Sequence, residues 1–167
     1  MKKNTNSSNI TFENNVNIIN SQNSQSFLEH TIEISTMDQF RNLTKEKAKN
    51  FKNVIFTKME INEEFVDKFW ELFLNGLNRL ELIDCHLTSG YKFKDLFDGD
   101  YSISYLIIKS NDLSMDDVDH IFSLIYPHLI RKFVFYSNQL NIDVVKNTLI
   151  KRLGSCAPEL EVFNNIS

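Results

Sequence analysis

Leu77-Asn78-Arg79-Leu80-Glu81-Leu82-Ile83-Asp84-Cys85-His86-Leu87 is an eleven-residue phrase with large apolar residues at positions 1, 4, 6 and 11 and a small Cys at position 9. The same offsets return downstream at Ile103, Leu106, Ile108, Asn111 and Leu113, and again at Ile130, Phe133, Phe135, Asn138 and Leu140. Upstream, Phe51, Val54, Phe56, Met59 and Ile61 keep the pattern with Met in the Asn/Cys slot, and Ala157, Leu160, Val162 and Asn165 begin a further copy. The position-4 anchors Val54, Leu80, Leu106, Phe133 and Leu160 lie 26, 26, 27 and 27 residues apart. Within each phrase the alternation across positions 3 to 7 has the period of a strand with one side buried.

Between the phrases the period changes to that of a helix. Asn62 precedes Phe65, Phe69, Trp70, Phe73 and Leu74, a broad apolar stripe with a capping residue in front. Ser114-x-x-Asp117 has the form of a capping box ahead of Val118, Ile121, Phe122 and Ile125. Asn141 caps a predicted helix carrying Val144, Val145, Thr148, Leu149 and Leu153, with Gly154 as its stop. From Thr88 to Asp100, Gly90 and Gly99 bracket Tyr91, Phe93, Leu96 and Phe97, which predicts a short or irregular helix. Ahead of the first full phrase, Thr31-Ile32-Glu33-Ile34-Ser35 alternates as a strand. Thr36-x-x-Gln39 is a second capping box, opening a helix with Met37, Phe40 and Leu43 on one side and Lys45 to Lys49 as its solvated end.

One strand and one helix leave an apolar side bare, so such units must stack to bury it. Stacking pairs each strand in parallel with its neighbour, places the helices on one side, and turns positions 1, 4, 6 and 11 inward. The position-9 residues Asn111, Asn138, Asn165 and, more weakly, Cys85 are expected to bond backbone groups inside the turn. Met59 is not, so its turn should be held differently. In these features the chain resembles the leucine-rich repeat proteins, and the 26 to 27 residue period with Cys85 is similar to their cysteine-containing and ribonuclease-inhibitor-like classes. The resemblance covers about residues 50 to 167, with 27 to 49 as an N-terminal cap; it implies an α/β solenoid of about four repeats and a partial fifth strand near 160. It also implies a curved parallel sheet on the concave side and helices on the convex side. Members of that family bind other proteins on the concave face, some as substrate adaptors joined to an F-box, a pattern not found in the N-terminal segment here.

The strand period identifies the side chains that point away from the core. Position 3 gives Asn53, Arg79, Tyr105, Lys132 and Glu159; position 5 gives Ile55, Glu81, Ile107, Val134 and Glu161; position 7 gives Thr57, Ile83, Lys109, Tyr136 and Phe163. Position 8 adds Lys58, Asp84, Ser110, Ser137 and Asn164. An apolar centre with charged neighbours has the composition of a protein interface. The expected partner-binding set is Ile55, Thr57, Arg79, Glu81, Ile83, Tyr105, Ile107, Lys109, Lys132, Val134, Tyr136 and Phe163, with Tyr105 and Tyr136 as anchors.

Composition narrows the remaining classes. A net charge of -4 argues against affinity based on phosphate neutralisation, so no nucleic-acid partner is expected. Charges interrupt every apolar stretch well short of the roughly 20 residues a spanning helix needs, so no membrane insertion is expected. Residues 1–26 hold eight Asn and few large apolar residues and predict a flexible tail, although Val16, Ile18 and Ile19 leave room for a short strand or docking segment. Met1-Lys2-Lys3 is followed by polar residues rather than an apolar signal core, which predicts a cytoplasmic protein or one exported by an unreadable route. Cys85 and Cys156 form neither a metal pattern nor a disulfide framework, and His30, His86, His120 and His128 lack ligand spacing, so no metal or cofactor is expected. Cys85 and His86 point to opposite sides of the chain, and no phosphate-binding or nucleophile-elbow motif occurs. The expected role is non-catalytic: an adaptor or effector-type scaffold binding a protein on the sheet face. The alternative is an assembly or stability subunit of a permanent complex, using convex helices or self-association through the strand edge near Leu160 to Phe163.

Overall fold

The computed structural model describes residues 8–11, 17–20, 30–73, 76–88, 90–97, 103–124, 129–154 and 158–164. The protein is α/β, with helices packed on a mostly parallel sheet. Strands β1 (Ser8–Thr11), β2 (Asn17–Asn20), β3 (Thr31–Ile34), β4 (Asn53–Thr57), β6 (Arg79–Ile83), β8 (Tyr105–Lys109), β9 (Lys132–Tyr136) and β10 (Glu159–Phe163) form the main sheet in that order. The two-residue strands β5 (Glu60–Ile61) and β7 (His86–Leu87) pair separately. From β3 to β10 the pairing is parallel, and Thr31, Asn53, Arg79, Tyr105, Lys132 and Glu159 are successive Cα partners. Residues equivalent in the eleven-residue phrase therefore stand side by side. The shorter first spacing, from Ile32 to Val54, is also a register pair.

The Asn-rich N-terminal stretch, expected as a flexible tail, contributes strands β1 and β2, and Ile18 and Ile19 lie in β2. β2 pairs antiparallel with β3 through Asn17 with Glu33 and Ile18 with Ile32. The physical reason is that the free side of β3 presents unpaired backbone groups, which another strand satisfies. The rest of that tail, Val16, Leu74, Gly99, Ile125, His128, Cys156, Ala157 and Asn165 lie outside the described residues.

Positions 4 and 6 of each strand face the helices. Val54, Phe56, Leu80, Leu82, Leu106, Ile108, Phe133 and Phe135 are all fully buried. Helix α1 (Met37–Asn42) and helix α3 (Glu63–Phe73) meet this layer with aromatic rings: Phe56 lies 5.0 Å from Phe40 and 4.8 Å from Phe65, centroid to centroid. At the other end Phe122, from helix α4 (Met115–Leu124), sits 4.9 Å from Phe133. Between them the predicted irregular segment is a 3-10 helix, Phe93–Phe97, which buries Phe93, Leu96 and Phe97. Helix α5 (Ile142–Leu153) adds Val145 and Leu149 and ends at Gly154 with a φ of 55°.

The predicted caps form. Thr36 and Gln39 make a reciprocal capping box, Asn62 Oδ1 accepts from the Phe65 amide at 2.9 Å, and Asn141 Oδ1 accepts from the Val144 amide at 3.1 Å. The Ser114/Asp117 box does more than close a helix. Asp117, almost fully buried, also accepts the Lys94 amide at 2.9 Å and so ties α4 to the 3-10 segment. The first helix departs from expectation: Lys45–Ala48 is a separate helix, α2, not the end of α1. Leu43 turns extended there, its side chain buried, and the Thr44 hydroxyl accepts from the Lys47 amide as a new cap.

The turns after the strands also differ from expectation. Asn111 and Asn138, predicted to bond backbone groups inside their turns, are exposed, although Asn111 Oδ1 accepts the Asn138 amide of the next turn at 3.3 Å. The buried polar work falls one residue earlier, on Ser110 and Ser137. Ser110 Oγ donates to the Cys85 carbonyl at 2.7 Å and Ser137 Oγ to the Leu113 carbonyl at 2.8 Å; each also accepts an amide two residues on. In the two earlier turns position 8 is left-handed instead, at Lys58 and Asp84, and position 9 is buried as Met59 and Cys85. The turn at Met59, expected to be held differently, thus shares the geometry of Cys85, because the β5–β7 pairing and the His86 amide on the Met59 carbonyl at 2.9 Å hold it.

Ser137→Ala is expected to cost about 1–3 kcal/mol by stranding a buried carbonyl and amide, whereas Asn138→Ala should cost less than about 0.5 kcal/mol. Urea unfolding of both variants measures the contrast, and equal losses would return the polar role to position 9.

Candidate functional site

Odd positions of the parallel strands project from the side opposite the helices, where Ile55, Thr57, Arg79, Glu81, Ile83, Tyr105, Lys132 and Tyr136 are half-buried and Lys109 and Phe163 exposed. The backbone register brings these ten together in three rows. Two members of the expected set are not available at this surface: Ile107 and Val134 are 5% and 8% exposed. Both occupy the middle row of interior strands, where a short β-branched side chain stays below the longer side chains of the rows on either side. Asn53 is buried as well, its amide near Thr31 Oγ1 at 3.4 Å, and Ser110 and Ser137 leave the face for the turns.

Most charges on the face are satisfied within it. Arg79 Nε donates to Glu81 Oε1 at 2.6 Å, and its guanidinium carbon lies 5.5 Å from the Tyr105 ring centroid. Lys132 Nζ bonds Glu159 at 2.9 Å and also Glu161, and the two carboxylates raise the lysine's pKa. Thr57 Oγ1 donates to Glu33 at 3.3 Å. The rings of Tyr136 and Phe163 lie 6.1 Å apart. The face can therefore offer apolar area and one aromatic pair, with its strand-entry cations already engaged, Arg79 along its own strand and Lys132 across strands.

Sequence reading missed these pairings because the partners are 27 or 29 residues apart, or two apart on one strand; superimposing the phrases would have placed Lys132 beside Glu159.

The helical side carries a pocket of about 320 Å³ lined by Val66, Trp70, Tyr91, Lys94, Asp95 and His120. Lys94 Nζ bonds Asp116 at 2.8 Å and Asp95 accepts the Lys92 amide at 2.7 Å, whereas the buried Trp70 Nε1 has no hydrogen-bond partner among the described residues. Burial, followed by the charges of Glu63, Asp67 and Asp95, raises the pKa of Tyr91. Among the described residues no group of three or more His, Cys, Asp or Glu is placed to hold a metal ion, and no helix is long and apolar enough to cross a membrane. His86 Nδ1 lies 3.8 Å from Asp112, and the His86 side chain is exposed whereas Cys85 beside it is buried. Burial pushes the Cys85 thiol up to about 11, and its sulfur sits 3.6 Å from the Phe56 and Ile83 carbonyls. No protein-family model matches the chain, and no curated protein or solved structure matches it.

A buried thiol with a raised pKa is a poor nucleophile, because the thiolate is the reactive form. Cys85 is expected to resist a thiol-labelling reagent at pH 8 in the folded protein and to react fully in urea. Mass spectrometry of the Cys85 peptide checks this, and rapid native labelling would restore Cys85 as a chemical candidate.

Proposed function

We propose that the chain is a leucine-rich-repeat-type solenoid that acts as a non-catalytic protein-interaction module, an adaptor or scaffold whose partner docks on the helix-free face of the sheet. The observation that carries this reading is the surface composition of that face. Ile55, Ile83, Tyr105, Tyr136 and Phe163 remain partly exposed on adjacent strands, beside cations that are engaged by neighbouring carboxylates. Such a patch, apolar and aromatic side chains interspersed with charges, has the composition of a protein interface. The in-register stacking of equivalent phrase positions, strand after strand, supports the solenoid. Tyr105 and Tyr136 are the proposed anchors, since tyrosine combines contact area with a polar tip at low entropic cost.

A second reading, assembly through the strand edge, is favoured by β10. Leu160 and Val162 are half-buried, whereas their register partners Phe133 and Phe135 are fully buried, so a further strand beside β10 would cover apolar surface. Light scattering coupled to size exclusion tests it: a Leu160→Lys-sensitive oligomer supports the edge, and a monomer at all concentrations removes self-association.

For the face, Tyr105→Ala and Tyr136→Ala are each expected to weaken capture of a specific partner from native cell extract by tenfold or more, at about 2 kcal/mol per anchor. Circular dichroism should show unchanged folding. Equal capture by folded variants and wild type would exclude the face.

A further inference from the structure

We infer that this face recognises an acidic segment of its partner, in which a carboxylate lies beside an apolar or aromatic side chain, and that Lys109 selects it. The inference rests on the face reading above and adds the chemistry of the occupant. Position 7 differs from the other rows of the face. In the first row Arg79 is held by Glu81 and stacked near Tyr105, and Lys132 is shared by Glu159 and Glu161. Lys109 is exposed, and among the described residues its ammonium has neither an ion pair nor a hydrogen bond. Its Cα partners on the flanking strands are Ile83 and Tyr136, and Phe163 follows one strand on.

A cation set between apolar neighbours has two consequences. An incoming apolar side chain that covers Ile83, Tyr136 and Phe163 also displaces water from around the ammonium. An incoming carboxylate then gains more than an ion pair in open water, while an incoming cation is rejected. Beyond the strand ends the exposed residues Lys58 and Asp84 carry opposite charges, so Lys109 sets the sign of the row. The face thereby separates into a net-acidic strand-entry half, where Arg79 and Lys132 meet Glu81, Glu159 and Glu161, and a strand-exit row with one unmatched positive charge, which is where a partner's carboxylate can sit. A polyanion such as nucleic acid fits less well, because the chain's net charge is -4 and the other face cations are already paired.

A random 12-residue peptide library displayed on phage, selected on the immobilised full chain, tests the inference. Selected peptides are expected to carry Asp or Glu within two positions of Phe, Tyr, Trp or Leu. Fluorescence anisotropy with a synthetic selected peptide should show at least about tenfold weaker binding to Lys109→Glu, near-native binding to Lys109→Arg, and loss with Tyr136→Ala. Selection on Lys109→Glu should shift the enriched residues from acidic to basic. Peptides that depend on Tyr136 but show no acidic enrichment would overturn the role of Lys109 and leave the face reading standing. Peptides indifferent to both residues, or no enrichment at all, would overturn both.

Discussion

The structure depends on a single constraint, the fixed register of its parallel strands. It is set at strand entry, where one carbonyl takes two amides of the next strand. The His30 oxygen accepts the Lys52 and Asn53 amides at 2.9 and 3.0 Å, and the Asn78 oxygen accepts the Ser104 and Tyr105 amides at 2.9 and 3.1 Å. At strand exit the position-8 amide reaches forward to the next strand, as Asp84 does to the Lys109 carbonyl at 2.8 Å. A slip of one residue at any junction would turn every later side chain to the wrong side. Val54 over Leu80 over Leu106 over Phe133 is therefore both the product of the register and the reason it holds, since each layer is dry only if its neighbours are aligned.

The same register organises the opposite face. Residues one phrase apart become neighbours, so charges distant in sequence meet in rows, and a row is stable when unlike charges alternate along or across it. Lys132 against Glu159 and Glu161 follows from this. The fully buried side fixes the middle row as well: Ile107 and Val134 carry β-branched side chains that suit the pleat and sink between longer neighbours, leaving the outer rows to meet solvent.

The phrase made the strands, their order and the inward positions legible before any coordinates, because period-two alternation and constant spacing are properties of the chain itself. Helix starts were legible for the same reason: a Thr, Asn or Ser cap needs only local bonds, as Asn62 and Asn141 show. What was not legible depended on competition between equivalent local options. Thr44 offers a cap in the middle of a helical stretch, and burying Leu43 decides in its favour. Adjacent Ser110 and Asn111 can each bond a turn, and the shorter hydroxyl takes the buried place because it reaches the Cys85 carbonyl at 2.7 Å, while the larger amide stays exposed and accepts the Asn138 amide at 3.3 Å. On the face, exposure at odd positions was legible as a direction but not as an amount, which is why Ile107 and Val134 were expected there.

The exit turns bear on what the face can do. Lys58 and Asp84 hold left-handed backbone that costs a residue with a Cβ about 1–2 kcal/mol, so this geometry persists only because the β5–β7 pairing and the buried Met59 and Cys85 enforce it. Ser110 and Ser137 fix the later turns through buried hydroxyls. Each of these anchors lies one residue after position 7, so Ile83, Lys109 and Tyr136 stand on backbone clamped on its exit side and paired to strands on both flanks. A row displayed this way loses little backbone freedom when it is covered, and the ordering cost falls on its side chains alone. Tyrosine and isoleucine lose less side-chain freedom than a long flexible chain, so covering this row would cost most side-chain freedom at Lys109.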